Sequence, residues 1–235
     1  AAAPAPGAIE ALTALAGRYA TVAVVSGRPV SFLRTVLPTG LELVGLYGLE
    51  WLRGGEPVDH PDAEPWRAVV ERATAAAVDE LPPGVLVEPK GLSLTLHVRP
   101  APEHGAEVER WAAARAGVDG LVVRQAKMSV ELHPPVSVDK GTTVRALAGG
   151  ARAVAFLGDD VGDLPAFAAL ADLRAGGVAT AAVAVRGAEA PASVLEAADV
   201  VVDGPAGAVE VLRALARAVG WPSSPGRGGE PGTGS

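Results

Sequence analysis

The sequence predicts an α/β protein: a doubly wound parallel-sheet (Rossmann-like) core interrupted by an inserted α+β cap domain. Three observations carry this. Short β-branched runs alternate with helix-period segments at both ends of the chain, as crossover-connected parallel strands require. A middle stretch instead reads α-β-β-α-β-β, the order of a small antiparallel sheet covered by two helices. The texture changes near Pro65 and returns near Val138.

Pro6-Gly7 opens a segment with apolar residues at Ile9, Leu12, Leu15 and Ala16, close to a helical period, which runs out near Gly17. Thr21 to Val25 is a β-branched run short enough for a buried strand, and Ser26-Gly27-Arg28-Pro29 breaks it. Val30 to Leu37 predicts a short helix and Leu43 to Tyr47 a second strand. Arg53 to Pro65, rich in Gly, Pro and acids, is expected to be a linker or hairpin at a domain boundary. In the middle stretch Trp66 to Leu81 is a helix stopped by Pro82-Pro83-Gly84. Val85 to Glu88 and the alternating Leu92 to Val98 are strands. Pro102 to Ala116 is a helix, and Leu121 to Arg124 with Met128 to Leu132 form another strand pair. The last third gives a helix from Lys140 to Leu147, a buried strand from Ala153 to Leu157 and a helix from Leu164 to Ala171. A strand from Val178 to Val185, a short helix from Val194 to Ala197, a strand from Val200 to Val202 and a closing helix from Val209 to Val219 follow. Domain bounds are expected at residues 1–55 (first core part), 56–135 (cap), 136–221 (second core part) and 222–235, a Pro/Gly/Ser-rich tail expected to be disordered.

Composition narrows the function classes. The 235 residues are 49 % apolar, drawn from Ala, Val and Leu more than from aromatics, which suits helices on a Val-rich sheet. There is no cysteine, so disulfides, thiolate zinc sites and cysteine nucleophiles are excluded. The net charge is −7 and no Lys/Arg cluster stands out, which argues against a nucleic-acid partner. No apolar run approaches the roughly 20 residues of a membrane span, and Ala1-Ala2-Ala3-Pro4 lacks a basic leader. A soluble, cytoplasmic protein is expected. No Met precedes Ala1, so a processed or truncated start is expected as well.

Polar residues at the carboxyl ends of the predicted core strands are the candidate site, because ligands of open α/β sheets bind there. Ser26 follows the first strand; a hydroxyl and exposed N–H groups at that edge can hold a phosphate oxygen, although Ser-Gly-Arg-Pro alone is also an ordinary turn. Gly158-Asp159-Asp160-Val161-Gly162-Asp163 follows the Ala153–Leu157 strand. Its three carboxylates repel one another unless a cation neutralises them, and Mg2+ suits hard oxygen ligands, whereas Asp163 could equally cap the next helix. Lys140, at the start of a helix, can offset phosphoryl charge or be a surface lysine. In the middle stretch, Glu88 and Lys90 lie two apart and share a strand face, as Lys127 and Glu131 can. They can bind sugar hydroxyls or form cross-strand ion pairs.

Together these motifs are more specific. Ser26-Gly27-Arg28, then Lys140, then Gly158-Asp159-Asp160 with Asp163, resemble motifs two to four of the haloacid-dehalogenase superfamily. The inserted domain lies where many of its sugar phosphatases carry a specificity cap. Within that superfamily the chain is similar to the trehalose-6-phosphate phosphatase family from Pro4 to Trp221. The matching stretches are Val24 to Arg28, Gly45 to Glu50, Val138 to Gly141 and Gly158 to Phe167. In the cap, Glu88-Pro89-Lys90, His97-x-Arg99, and Lys127 with Glu131 match.

The resemblance implies Mg2+-dependent hydrolysis of trehalose 6-phosphate through an aspartyl-phosphate. Ser26 and Lys140 would hold the phosphoryl group, Asp159 and Asp160 would face the metal, and Asp163 would orient metal waters or Lys140. Arg28, Glu50, Glu88, Lys90, Lys127 and Glu131 would contact substrate. Gly162 and Leu164 depart from the usual Thr and Glu of motif four, and Tyr47 stands where His is frequent. The family's nucleophile loop, Asp-x-Asp-Gly-Thr, does not occur in the chain, whose first aspartate is Asp59. The strand bearing that loop is therefore expected to be missing at the N-terminus, and this chain to be inactive alone. Two alternatives stay open: another sugar-phosphate phosphatase of the superfamily, or a non-catalytic domain that binds a sugar phosphate or a trehalose-phosphate synthase partner.

Overall fold

A computed structural model describes residues 3–126, 128–188 and 190–218. Lys127 and the Pro/Gly/Ser-rich tail at 222–235 lie outside them.

The core elements form two half-sheets. In the first, β1 (Ala23–Val25) runs parallel to β2 (Glu42–Gly45), joined by α2 (Val30–Val36); α1 (Ala8–Ala16) precedes them. Valine and leucine dominate here, as in parallel strands generally; Leu43, Val44 and Gly45 of β2 are buried, whereas β1 is only partly so. β2 then pairs antiparallel with β3 (Glu50–Arg53), and β3 with β4 (Glu56–Asp59). Gly54 and Gly55 turn this hairpin at φ 55° and 88°, the conformation of a type I′ turn, which glycine adopts at least cost. The division drawn at 55/56 falls in that turn.

The middle stretch forms a sheet of its own. Strands β5 (Leu86–Pro89), β6 (Leu94–His97), β7 (Val122–Ala126) and β8 (Ser129–His133) pair antiparallel in the order β5-β6-β8-β7. Helices α3 (Arg67–Glu80) and α4 (Gly105–Asp119) supply the other wall of its core. Leu94, Leu96, Val130 and Leu132 alternate inward to meet Val70, Ala73, Val108 and Ala112, all nearly inaccessible to solvent. By the same alternation Thr95, Glu131 and Arg124 stand on the opposite face. Leu92, in the β5–β6 turn, is fully buried with Leu46, Leu49 and Ala63, which docks that turn on the first half-sheet.

The second half-sheet is all parallel. It comprises β9 (Ala153–Gly158), β10 (Ala179–Arg186) and β11 (Val200–Asp203), in the order β11-β10-β9. Helix α5 (Lys140–Leu147) leads into it, α6 (Leu164–Ala175) and α7 (Ala192–Glu196) make its crossovers, and α8 (Gly204–Arg217) ends the described chain. The fold class is α/β with parallel elements, but its core is not one continuous sheet. Among the described residues β1 bonds only to β2, and β9 only to β10. Between these edges lies an apolar gap. On one face it is a cavity of about 610 Å3 walled by Val22, Val24, Phe156, Leu157, Leu12 and Leu212. On the other face it is one of about 280 Å3 against Val144 and Leu147.

Candidate active site

The loop after β1 is welded to the end of β2. Ser26 N–H donates to Val44 O at 2.9 Å, Tyr47 N–H to Ser26 O at 3.0 Å, and Leu46 N–H to Arg28 O at 3.2 Å. The Ser26 hydroxyl oxygen accepts Arg28 N–H at 3.1 Å, closing a local turn. Leu46, Tyr47 and Gly48 follow with φ of 48°, 61° and 125°. Two consecutive non-glycine residues with positive φ store strain that the surroundings must hold. Here the holding contacts are visible: a Cβ on Gly27 would stand 2.5 Å from the Tyr47 ring, and Thr143 Oγ1 donates to Tyr47 O at 3.4 Å. Burial and the nearby Glu131 carboxylate push the Tyr47 hydroxyl above its ordinary pKa, against the pull of Arg124.

Lys140 opens α5. Asp139 caps it, accepting Thr142 N–H at 2.7 Å while Thr142 Oγ1 accepts Asp139 N–H at 3.0 Å, a reciprocal capping box. Lys140 is buried, and its Nζ lies 2.5 Å from Asp163 Oδ1. The other oxygen, Asp163 Oδ2, accepts the N–H groups of Asp159 at 2.8 Å and Asp160 at 3.1 Å. Only glycine fits at 158 and 141, where a Cβ would approach Asp163 Cγ and Pro165 O respectively to 2.4 Å. Asp163 is thus a positioning group that shapes the loop and holds the lysine. Asp159 and Asp160 are exposed, and the three carboxylates each bring an oxygen within 4.8 Å of the others. Burial, then Asp160 and Asp163, raise the Asp159 carboxyl above its usual range, and Lys140 opposes them. A cation would relieve that repulsion. The donor set therefore fits a hard divalent ion held by Asp159 and Asp160, with Asp163 already spent on N–H groups and ammonium.

These groups open onto a cleft of about 920 Å3 whose walls include Tyr47, Lys140, Asp159 and Asp160 from the core and Arg124 and Gln125 from the antiparallel sheet. On that sheet Glu131 is buried. Its Oε1 accepts Ser93 Oγ at 2.8 Å and lies 3.8 Å from Lys90 Nζ, while Oε2 lies 3.7 Å from Arg124. The structure thus brings Lys90 to Glu131. Glu88 instead pairs with His97, Oε2 to Nε2, at 2.7 Å. His133 is pushed below its ordinary pKa by burial and by Arg124.

Two predicted substrate contacts are placed elsewhere. The Arg28 guanidinium lies 4.5 Å over the Phe32 ring, bracing its loop against α2. Glu50 Oε2 accepts Val30 N–H at 2.8 Å, satisfying a donor at the start of α2 that the helix itself cannot. Burial, the largest cause, raises the Glu50 carboxyl. Ser26 does not line the cleft directly; the ring of Tyr47, packed on Gly27, stands there. The sequence alone does not single out Arg124, Ser93 or Thr95. The signal was present only in strand register, which places Thr95 and Arg124 on either side of Glu131.

A family model described as trehalose-phosphatase matches residues 1–200. A probable trehalose-phosphate phosphatase of Sinorhizobium fredii is 34 % identical over 155 residues, 60 % of this chain and 56 % of that protein. A trehalose-phosphate phosphatase of Mycobacterium avium is 35 % identical over 182 residues, 72 % of this chain and 46 % of that protein. The chain therefore spans about half the length of the curated relatives it matches. A solved trehalose-6-phosphate phosphatase related protein shares the fold, with a TM-score of 0.77 at 21 % identity, covering 91 % of this chain and 88 % of that one.

Proposed function

The chain belongs to the trehalose-phosphatase family, and on that premise we propose that its cleft serves the Mg2+-dependent hydrolysis of trehalose 6-phosphate to trehalose and phosphate. One observation carries the reading: a buried Lys140–Asp163 pair and two exposed aspartates form one wall of a cleft faced by a polar sheet surface built around Glu131. The first wall suits a phosphoryl group, the second a sugar.

Asp159 and Asp160 would hold Mg2+, which supplies charge neutralisation at the phosphoryl oxygens when bound. The residues of the chain itself do the rest. Lys140, fixed by Asp163, presents an ammonium to a phosphoryl oxygen as a preorganised charge. Ser26 N–H on Val44 O, with Leu46 and Tyr47 N–H donating back to Arg28 O and Ser26 O, fixes the Ser26–Arg28 loop against the end of β2, and Ser26, behind the Tyr47 ring, is proposed to serve the phosphoryl end. Glu131, with Lys90 and Ser93 already on it, exchanges these contacts for sugar hydroxyls, and Lys127 and Glu88 are proposed as further substrate contacts. We take the antiparallel unit up to residue 135 as a cap that closes over the substrate and limits water.

The reaction also needs a nucleophile at phosphorus. The apolar gap between β1 and β9 has two open strand edges and reaches Gly158 and Asp159 at its carboxyl end. In our reading it is filled in the working enzyme by a parallel apolar strand that ends in the Asp-x-Asp-Gly-Thr loop. Such a strand would pair both edges and bring its aspartates beside Asp159. We further place the protein in trehalose biosynthesis in the cytoplasm, next to a trehalose-phosphate synthase as the source of its substrate. Among the described residues no helix is long and apolar enough to cross a membrane.

Glu131→Ala in the strand-complete enzyme tests the assignment. Losing sugar hydrogen bonds costs roughly 1–3 kcal/mol each, so kcat/KM for trehalose 6-phosphate should fall about ten- to a hundredfold or more. Turnover of a small generic phosphate ester should be nearly unchanged. Equal losses on both would place Glu131 outside a sugar site.

A further inference from the structure

The face of the cap sheet turned away from its helices carries one polar row. Glu88 pairs in register with Thr95, Thr95 with Glu131, and Glu131 with Arg124. In-register neighbours of an antiparallel sheet project to the same side. Thr95 Oγ1, buried in the middle of the row, has no hydrogen-bond partner among the described residues. Arg124 ends the row against the core. Its guanidinium carbon lies 4.2 Å from the centroid of the Tyr47 ring. That ring is wedged between loops: a Cβ on Gly27 would stand 2.5 Å from it, and one on Gly162 3.9 Å from its Cε1. Arg124 is therefore held over the junction of the Ser26 loop and the Asp159–Asp163 loop, and lines the cleft with Lys140, Asp159 and Asp160.

We propose that Arg124 is a further substrate-binding residue, donating from the cap side to the phosphoryl oxygens of a phosphate monoester that Lys140 meets from the core side. The inference rests on reading the cleft as a phosphate-ester site. Stacking occupies the flat face of a guanidinium and leaves its in-plane N–H groups to oxygen acceptors. The nearest Glu131 oxygen, at 3.7 Å, is beyond a charge-assisted hydrogen bond and does not saturate them. Even with a divalent ion at Asp159 and Asp160, an incoming phosphate dianion faces Asp139 on the core wall, where the Lys140 ammonium is already paired with Asp163 at 2.5 Å. A second fixed cation on the opposite wall offsets that repulsion. Arg124 holds that position, and the side chain is about a third exposed, so a ligand can reach it.

Calorimetric titration of the purified protein in Mg2+ with inorganic phosphate, trehalose and trehalose 6-phosphate tests the proposal on wild type, Arg124→Ala and Arg124→Lys. Arg124→Ala should weaken inorganic phosphate and trehalose 6-phosphate alike, by about ten- to a hundredfold. Binding of trehalose itself should change less than about twofold, since Arg124 would touch only the phosphoryl end. Arg124→Lys, which keeps the charge and loses the planar donors, should fall between. Unchanged phosphate affinity in Arg124→Ala would overturn the proposal. So would a loss of trehalose affinity as large as that for phosphate, which would make Arg124 a support for Glu131 alone. Thermal melts matched to wild type show that the variants fold. The substrate assignment is judged separately, by whether wild type prefers trehalose 6-phosphate to glucose 6-phosphate; the phosphate arm does not depend on that preference.

Discussion

Replacing Asp163 by alanine removes three hydrogen bonds from one carboxylate. Its Oδ1 loses Lys140 Nζ at 2.5 Å, and Oδ2 loses the N–H groups of Asp159 at 2.8 Å and Asp160 at 3.1 Å. Asp163 is 2 % exposed and Lys140 8 %, so neither the ammonium nor the loop can turn to water without local opening. Breaking a buried ion pair by removing one partner costs about 3–5 kcal/mol, because a charge is left buried alone. In a chain of this size each kcal/mol lowers Tm by roughly 2–4 °C, so a drop of about 6–20 °C is expected. Lys140→Met should cost less, since the remaining carboxylate keeps its two backbone donors. Urea denaturation of both variants and of the double variant gives the coupling. A double variant no less stable than Asp163→Ala alone is the predicted result. An Asp163→Ala loss below about 1 kcal/mol, or strict additivity of the two changes, would refute the claim that Asp163 is spent on holding Lys140 and the loop.

Asp159 carries a raised carboxyl pKa, so its folded form favours the proton. Its contribution to stability is present below the unfolded carboxylate pKa and is lost as pH rises through the folded one. Asp159→Asn should therefore stabilise the metal-free protein at neutral pH, with no gain at the acid end of a pH series of melts, and should abolish any rise in Tm on adding Mg2+. Glu50→Ala should cost about 0.5–2 kcal/mol in urea denaturation, the worth of a helix N-terminal cap, while Glu50→Gln keeps an acceptor for Val30 N–H and should lose less.

Much of the fold was legible because its periods are clean. Leu94 and Leu96, alternating with Thr95, mark a strand with one apolar and one polar face, and the Lys140–Leu147 helix begins at its Asp139 cap. The β3–β4 hairpin was less so. Its turn glycines sit among acids and Pro57, and β4 tolerates that proline because it lies at the edge of its sheet. At the site, the three aspartates were visible as a cluster, but their division of labour was not. Asp163 differs from Asp159 and Asp160 only through where Gly158 lets it pack. Arg28 and Glu50 belong to recognisable stretches, yet their side chains turn to Phe32 and to Val30 N–H, and the second contact depends on how α2 meets β3. Arg124 could not be found without the β7–β8 register, since a strand sequence fixes the face of a residue but not its neighbour across the ladder.

Phosphate release from trehalose 6-phosphate in Mg2+ tests the central claim most directly, with Ala1–Ser235 assayed alone and again joined to an apolar strand ending in Asp-x-Asp-Gly-Thr. The chain alone should release essentially no phosphate, because among the described residues its cleft has carboxylates, an ammonium and a guanidinium but no placed nucleophile. With the strand in the gap between β1 and β9, turnover should appear, should require Mg2+, and should vanish when the first aspartate of the added loop is replaced by asparagine. Robust Mg2+-dependent release by Ala1–Ser235 alone, or none after the strand is seated, would contradict the account.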